Sequence, residues 1–302
     1  MPETTLTLDV TGPDGPRPVD VRVERVGSGT PLLLLHGIGH HLAAWRPVTS
    51  LLAADHDVIA VDLPGFGASD PLPEGVPHDL ASVVPVLGAL CAALGVERPH
   101  VAGNSLGGLL ALEMGRVGLA RSVTALSPAG FWTEPERLRV FLVLLAMRGG
   151  ARALPDAAAA RLVRTAAGRA ALTGAIYARP GRRSPEAVLA ETRALRGAPG
   201  FASTLAAGRT VRFTDDVPDV PVTVAWGDRD LLLPPRQGVR AKRILPGARL
   251  VRLPGAGHVP MNDDPALVAR VVRDTTLAAD AAEAARAGAA GAAGASVGAG
   301  RG

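Results

Sequence analysis

Apolar residues follow two patterns along the chain, and the first is typical of β-strands. Near the N-terminus, apolar and polar residues alternate over residues 5–10 and 19–26, with the turn-forming stretch GPDGPRP between them. This alternation predicts two half-buried strands. Further along, the pattern changes to short continuous apolar runs. These runs cover residues 31–35 and 58–61, and two further strands are predicted at residues 100–103 and 122–126. Such runs are typical of strands buried on both faces of a parallel sheet.

The second pattern is a helical spacing of apolar residues between these strands. The predicted helices cover residues 42–54, 79–94 and 106–118. Nearer the C-terminus the alternation of the two patterns returns, with strands predicted at residues 220–226 and 249–253 and helices at residues 235–244 and 265–279. Alternating strands and helices predict an α/β fold, in which helices cover both faces of a mostly parallel central sheet.

One stretch interrupts the alternation. Residues 129–212 are rich in Ala and Arg, contain no convincing strand and are predicted to form several helices. We therefore predict one α/β core formed by residues 1–128 and 213–279, with residues 129–212 as a helical lid. Residues 280–302 are dominated by Ala and Gly, which predicts a frayed helix passing into a disordered tail.

Composition narrows the class of protein. Cys91 is the only cysteine, so the chain cannot form an intramolecular disulfide or a thiolate metal cluster. The net charge of +4 reflects an excess of arginine, but the basic residues are dispersed and no aromatic–basic platform accompanies them. We therefore predict no nucleic-acid partner. The N-terminal stretch lacks a secretory pattern and no apolar run is long enough to span a membrane, so we predict a cytoplasmic protein without a membrane partner.

The stretch GNSLG at residues 103–107 places a serine between two glycines, after a predicted strand and before a predicted helix. A sharp strand-to-helix turn can lift the side chain of Ser105 clear of the sheet, and side chains at positions 103 and 107 would clash in such a turn. The helix that follows directs its first amides at the serine, so the amide of Leu106 can donate to a developing oxyanion. The pattern predicts that Ser105 is a nucleophile.

A serine nucleophile requires a base, and the base requires a carboxylate that orients it. His258 lies in a Gly-rich loop between the last predicted strand and the last predicted helix, which favours it as the base. Asp228 and Asp230 follow the end of another predicted strand. Ligands bind beyond the carboxyl ends of parallel strands, so both positions are suitable. We predict that Asp230 is the acid, and that Asp228 stabilises the turn or pairs with Arg229.

Five motifs together resemble the α/β-hydrolase fold family over about residues 20–278. They are His36-Gly37 after the third strand, DLPGFGAS at residues 62–69, GNSLGG at residues 103–108, WGDRD at residues 226–230 and GAGHVPMNDDP at residues 255–265. The order Ser, Asp, His is the order known for this fold. In the family, the acid lies three residues after a Gly and four before a Pro, which Asp230 does with Gly227 and Pro234.

The resemblance also implies roles for the loop after the third strand. In the family, a backbone amide of this loop donates to the oxyanion, and the resemblance implies that Ile38 supplies it here. The amide of Leu106 is the other donor. His36 then positions the loop and is not a base. We place His36, Gly37 and Asn104 among the substrate-binding residues, although Asn104 is equally compatible with an ordinary turn role.

We predict a serine hydrolase that cleaves a small to medium carboxylic ester and uses no cofactor. Ser at the nucleophile position counts against the branches of the family that use Asp, the haloalkane dehalogenases and epoxide hydrolases. GNSLGG also resembles the motif of carbon–carbon bond hydrolases that act on meta-fission products, although Val259-Pro260 follows the histidine where those enzymes usually have an aromatic residue. The same residues are compatible with a cofactor-free perhydrolase, an acyltransferase or a non-catalytic ligand receptor of this fold.

Two features of the chain leave the substrate open. Residues 131–210 contain thirteen Arg and five Asp or Glu. These arginines either bind an anionic group of the substrate or form a solvated face. Binding of an anionic group would favour the carbon–carbon hydrolase. The apolar stripe at residues 141–147 either lines an acyl pocket or packs the lid on the core. His40 and His41 are predicted to face the pocket mouth, and no metal site is predicted because no carboxylate at ligand spacing accompanies them.

Overall fold

The computed structural model describes residues 3–298, with side-chain environments through residue 287, and its centre is one eight-stranded sheet. The strands are β1 (Glu3–Gly12), β2 (Gly15–Gly27), β3 (Thr30–Leu35), β4 (His56–Val61), β5 (His100–Asn104), β6 (Ser122–Leu126), β7 (Val222–Gly227) and β8 (Arg249–Leu253). Their order is β1-β2-β4-β3-β5-β6-β7-β8, and β3 to β8 run parallel. β1 and β2 pair antiparallel at one edge, and β2 pairs antiparallel with β4.

The continuous apolar runs form the inner strands because both faces of the sheet are covered. Along β3, Leu33 and Leu35 pack into one hydrophobic cluster, and Leu32 and Leu34 pack into another on the opposite face. Successive side chains of a strand point to opposite faces, so a strand buried on both sides needs apolar residues at every position. The predicted fold class is therefore confirmed.

Helices cover both faces of this sheet. The helices of the core are α1 (Arg46–Leu52), α2 (Leu80–Ala93), α3 (Leu106–Arg116), α9 (Arg236–Ile244), α10 (Pro260–Asp263) and α11 (Pro265–Gly298). Buried residues of α1 and α11 belong to the cluster that contains Leu32 and Leu34, and those of α2, α3 and α9 belong to the cluster on the other face. None of the helices in residues 3–298 combines the length and the apolar character that crossing a membrane requires.

Five helices lie between β6 and β7, in the segment predicted to be a helical lid. They are α4 (Glu134–Ala153), α5 (Asp156–Leu162), α6 (Ala166–Thr173), α7 (Pro185–Gly197) and α8 (Phe201–Ala207). On α4, Val140 and Leu144 are buried towards the core, whereas Leu142 remains 58% exposed. Only part of the apolar stripe at residues 141–147 therefore packs inward.

The last helix of the core continues into the Ala- and Gly-rich stretch. The sequence predicts a closing helix at residues 265–279 followed by a frayed helix, and α11 continues to Gly298, so the described part of the predicted tail is helical. Ala has the highest intrinsic helix propensity, and acidic residues of this extension contact the core, since Glu283 and Asp280 both pair with Arg121. Residues 299–302 of the predicted tail lie outside the described residues.

Two fully buried histidines make stability depend on pH. His100 on β5 bonds the hydroxyl of Ser122 through Nδ1 at 2.8 Å, and burial lowers its pKa to about 3. Burial likewise lowers the pKa of His36 to about 4. A histidine whose pKa is lower in the folded than in the unfolded protein takes up a proton on unfolding. Stability is therefore full above the unfolded pKa, near 6.5, and falls as the pH drops below it.

We expect a substitution of His100 by Gln to make stability less dependent on pH. Between pH 7 and pH 5, the free energy of unfolding of the wild type should fall by about 2 kcal/mol more than that of His100→Gln. Urea unfolding of both proteins at the two pH values measures this difference, and comparing them cancels the other titrating groups. An equal loss in both proteins would show that His100 is not held neutral.

Candidate active site

Ser105 lies at the turn between β5 and α3 in a backbone conformation that side chains rarely adopt, with φ of +56°. Its amide donates to the carbonyl oxygen of Leu126 on β6 at 3.0 Å, and its own carbonyl oxygen accepts from Leu109 and Ala129. These three bonds hold the strained turn in place. The amide of Leu106 occupies the first turn of α3, where amides have no partner within the helix.

The glycines on either side of Ser105 are required by close backbone contacts. A Cβ at Gly103 would overlap the carbonyl of Gly107 and lie 2.7 Å from the nitrogen of Gly108. A Cβ at Gly107 would overlap the carbonyl of Leu35 and lie 2.7 Å from that of His36. The glycine spacing of the motif therefore has a steric cause, because β3, β5 and α3 meet here without room for side chains.

Asp230 and His258 form a buried hydrogen-bonded pair. His258 Nδ1 lies 2.8 Å from Asp230 Oδ2. The other oxygen of Asp230 accepts from the amides of Leu232 at 2.9 Å and Leu233 at 2.8 Å. The carboxylate side chain is fully buried, so its orientation is fixed and its second oxygen faces the imidazole. Ser105 and His258 line the same cavity.

Asp228, the other acidic residue of this loop, holds the neighbouring turn. Its carboxylate accepts from the amide of Gly255 at 2.7 Å and pairs with Arg252 at 2.9 Å. The predicted turn-stabilising role agrees with these contacts, but the ion-pair partner is Arg252 and not Arg229. Asp228 therefore orients the turn at Gly255, whereas Asp230, two residues later, orients the imidazole of His258.

Asn104 connects the loop of His258 to the sheet. Its side-chain nitrogen donates to the carbonyl oxygen of His258 at 2.8 Å and to that of Leu126 at 3.1 Å. The residue is buried and lines the cavity at Ser105, but both donors of its amide group are used by backbone. These contacts agree with the turn role considered for Asn104, because both of its side-chain protons position backbone.

A second anchor joins the histidine loop to the helical segment. The carboxylate of Asp263 accepts from the amides of Gly257, Ala178 and Arg179 at 2.8 to 3.0 Å. The amide of Val259 donates to the carbonyl oxygen of Ile176. The residues before and after His258 are thus bonded to the connection between α6 and α7. The helical segment therefore contributes to the position of the candidate base.

His36 is not available to a substrate, which corrects its predicted place among the binding residues. It is fully buried, its Nδ1 lies 2.7 Å from the carbonyl oxygen of Gly37, and its Nε2 accepts from the amide of Leu63 at 3.0 Å. Both ring nitrogens are therefore used to position the loop. Gly37 and Ile38, which follow it, do line the cavity at Ser105.

Ser105 and Ile38 lie between two cavities of different character. The first, of about 70 Å³, has almost entirely apolar walls. They include Leu63, Phe66, Leu109, Trp132, Phe141 and Leu205. The second, of about 330 Å³, contains His258 and several further polar side chains. These polar side chains are His40, Thr173, Glu191 and Thr192. A substrate at Ser105 can therefore extend in two directions, one apolar and one polar.

The arginines of the helical segment do not line the cavities. No arginine is among the described residues that form either wall, although Arg183 pairs with Glu191, which does line the second cavity. Several instead form internal pairs or bond backbone, for example Arg193 and Arg196 with Asp156, and Arg148 with the carbonyl oxygen of Ala198. The hypothesis that these arginines bind an anionic substrate group is therefore not supported, and it was the feature that favoured a carbon–carbon hydrolase.

Two residues of the helical segment were not predicted from the sequence: Glu191, which lines the second cavity, and Tyr177, which is bonded to Glu191 and His40 of its wall. Tyr177 bonds His40 at 3.1 Å and Glu191 at 3.0 Å. Periodicity in the Ala-rich segment is ambiguous and could not place them. One usable signal was present, because Tyr177 is the only tyrosine of the chain. A buried phenol in an Ala-rich segment requires a polar partner.

The sequence of this chain is similar to those of several known proteins. The model of the alpha/beta hydrolase family matches residues 32–271. An uncharacterised protein of Mycobacterium tuberculosis is 30% identical over 280 residues, which cover 84% of this chain and 78% of that protein. An epoxide hydrolase of the same species is 31% identical over 190 residues, 59% of this chain and 86% of its own length.

An ester-cleaving relative and a solved structure are also similar. A pimeloyl-acyl-carrier-protein methyl ester esterase of Aeromonas salmonicida is 43% identical over 96 residues, 32% of this chain and 36% of the esterase. The structure of a thermophilic esterase from Thermogutta terrifontis superposes with a TM-score of 0.70 at 22% identity, covering 91% of this chain and 99% of the esterase, which supports the fold. Because the family model matches residues 32–271, most of this chain, the chain belongs to the alpha/beta hydrolase family.

Proposed function

We propose that this chain is a serine hydrolase that cleaves small to medium carboxylic esters through an acyl-enzyme on Ser105. The observation that carries the proposal is the buried Asp230–His258 pair, whose histidine lines the same cavity as a serine on a strained strand-to-helix turn. Nucleophilic catalysis by serine needs this set of groups: a nucleophile, a base and a carboxylate that orients the base.

In the proposed reaction, His258 takes the proton of Ser105 as its hydroxyl oxygen attacks the ester carbonyl. Asp230 Oδ2 accepts from Nδ1–H of His258 at 2.8 Å, which leaves Nε2 as the basic nitrogen and stabilises the imidazolium that forms. The imidazolium then gives its proton to the leaving alcohol. Water attacks the acyl-enzyme by the same route and releases the acid.

The amides of Ile38 and Leu106 donate to the oxyanion in this proposal. Both residues lie with Ser105 around the apolar cavity, and Leu106 is the first residue of α3. The amides at a helix N-terminus carry partial positive charge, so they favour the charge that develops on the carbonyl oxygen. Their fixed positions avoid reorganisation during the reaction.

The acyl group is proposed to occupy the apolar cavity, under residues 129–212 as the lid. Support comes from Phe141 and Leu144 of α4 and Leu205 of α8, which form part of that cavity's wall. Cleavage of carboxylic esters is further supported by the similar methyl ester esterase of Aeromonas salmonicida. Ser105 at the nucleophile position argues against epoxide hydrolysis, which in this family uses an aspartate.

The proposed activity is tested with nitrophenyl esters of increasing acyl length. We expect the wild type to hydrolyse short and medium esters and to lose activity once the acyl chain exceeds the apolar cavity. The length at which kcat/KM falls measures the acyl site. Failure to hydrolyse any ester, by a protein shown to be folded by circular dichroism, would contradict the proposal.

A further inference from the structure

The two cavities at Ser105 differ in size and in their access to the surface. The apolar cavity has a volume of about 70 Å³, and the second cavity has a volume of about 330 Å³. The described residues that form the wall of the apolar cavity are all buried or half-buried. The wall of the second cavity includes three exposed residues, Ala146 and Gly150 on α4 and Ala171 on α6. The second cavity is therefore the larger one, and it reaches the surface at these two helices.

We call these three exposed residues the rim, and the cavity is open there because their side chains are small. Ala146 and Ala171 each carry one methyl group, and Gly150 carries none. A Cβ at Gly150 would meet no described atom from another part of the chain within 4 Å, so the space beside it is free. A group bound at Ser105 can therefore extend through the second cavity and past the rim. A group in the apolar cavity is limited to about 70 Å³.

The groups of the proposed mechanism lie on different sides of Ser105. Ser105 lines both cavities, whereas His258 lines the second one and Leu106, a proposed oxyanion donor, lines the apolar one. Attack by the oxygen of Ser105 breaks the bond between the carbonyl carbon and the alkoxy oxygen of the ester. That oxygen takes a proton from His258 and leaves as the alcohol. The alkoxy oxygen therefore points towards His258, so the alcohol half occupies the second cavity and the acyl half the apolar one.

The charges around the second cavity favour an uncharged alcohol. Glu191 is the one acidic residue among the described residues of its wall, and Arg183 pairs with both oxygens of this carboxylate. The paired carboxylate offers little attraction to a cation. No Arg or Lys is among the described wall residues, so an anionic alcohol finds no partner either. Several other wall residues are apolar, including Met147, Leu172, Ile176 and Leu195.

We propose that the substrates are short-acyl esters of larger, uncharged alcohols, and that the alcohol half extends past the rim formed by Ala146, Gly150 and Ala171. This inference rests on the proposed function and deepens it, because it names the half of the ester that carries the bulk. A long acyl chain would have to push apart the packed walls of the smaller cavity, which costs binding energy.

The test compares two isomeric esters whose long chain lies on opposite sides of the ester group, octyl acetate and ethyl octanoate. They contain the same atoms, so they differ mainly in which half is long. For the wild type, we expect kcat/KM, divided by the hydroxide-catalysed rate of each ester, to favour octyl acetate about tenfold or more. Released acid is measured by pH-stat below the solubility limits of both esters. Equal values, or a preference for ethyl octanoate, would overturn the proposal.

Two tryptophan variants test the part of the rim on α4. Gly150→Trp places a large side chain at the rim. Gly149→Trp is the matched control, because Gly149 is exposed on the same helix and is not among the described wall residues of either cavity. We expect Gly150→Trp to lower the ratio of kcat/KM for octyl acetate to that for ethyl acetate about tenfold. Gly149→Trp should keep the wild-type ratio.

A second pair of variants repeats the test on α6. Ala171→Trp fills the rim from this helix, and Ala170→Trp is its control, since Ala170 is exposed and lines neither cavity in the described part of the chain. Circular dichroism shows which variants are folded. If neither Gly150→Trp nor Ala171→Trp lowers the ratio below that of its control, the alcohol half does not pass the rim and the proposal is overturned. If one of the two does not fold, the other decides.

Failure of this inference can be told apart from failure of the proposed function. Hydrolysis of both isomeric esters without a preference for octyl acetate overturns the division of the ester between the two cavities and leaves the serine hydrolase standing. Absence of turnover on these two esters, on ethyl acetate and on every nitrophenyl ester, by a folded protein, overturns the serine hydrolase itself.

Discussion

Replacement of Asp230 by Asn is expected to lower kcat on esters about 10⁴-fold while the protein stays folded. An asparagine can keep its oxygen on the amides of Leu232 and Leu233, which now donate to Asp230 Oδ1. Its nitrogen then faces His258 and donates to Nδ1. This fixes the wrong tautomer, in which Nε2 carries the proton and cannot accept that of Ser105. The loss should appear in kcat measured with nitrophenyl esters.

Asp228→Asn is the matched control for this variant. The two aspartates lie in one loop, but Asp228 bonds Gly255 and Arg252 and not the histidine. We expect Asp228→Asn to retain kcat within a few-fold of the wild type and to affect mainly stability. If both variants lost activity equally, the loop as a whole would be responsible and Asp230 would have no separate role.

Replacement of Gly103 by Ala is expected to destabilise the protein by at least about 3 kcal/mol or to prevent folding. The added methyl group would overlap the carbonyl of Gly107 and approach the nitrogen of Gly108 at 2.7 Å. Both are backbone atoms of the turn and of α3, so no side-chain rotation can relieve the contact. Urea unfolding, compared with that of the wild type, measures the loss.

Gly149→Ala provides the matched control. Gly149 is exposed in the interior of α4, and a Cβ there would meet no atom within 4 Å. Alanine is favoured over glycine inside helices by about 1 kcal/mol, so this variant should be as stable as the wild type or slightly more stable. A Gly103→Ala protein as stable as Gly149→Ala would contradict the steric explanation of the motif.

The core of the fold could be predicted from the sequence because its strands are buried on both faces. Such strands require continuous apolar runs, and the predicted strands at residues 31–35 and 58–61 lie within β3 and β4. The steric role of the glycines on either side of Ser105 could be predicted, because close backbone contacts leave no room for a Cβ at these two positions. Local sequence patterns succeed where one physical requirement determines each position.

Features that depend on distant partners could not be predicted. Nε2 of His36 accepts a hydrogen bond from the amide of Leu63. The side-chain nitrogen of Asn104 donates to the carbonyl oxygen of His258, 154 positions along the chain. Glu191 on α7 lines the second cavity, and Tyr177, in the connection between α6 and α7, is bonded to Glu191. No spacing in the sequence reports these contacts. The end of α11 could not be predicted because an Ala- and Gly-rich composition is compatible with both a helix and a disordered tail.

The central claim, that Ser105 is the nucleophile, is tested most directly by the hydrolysis rate of Ser105→Ala beside the wild type on the best nitrophenyl ester. Equal urea midpoints for the two proteins would establish that the variant is folded. We predict a loss in kcat of about 10⁴-fold or more, leaving only what the oxyanion donors contribute without a nucleophile. A folded Ser105→Ala protein that hydrolyses the ester at the wild-type rate would contradict the account.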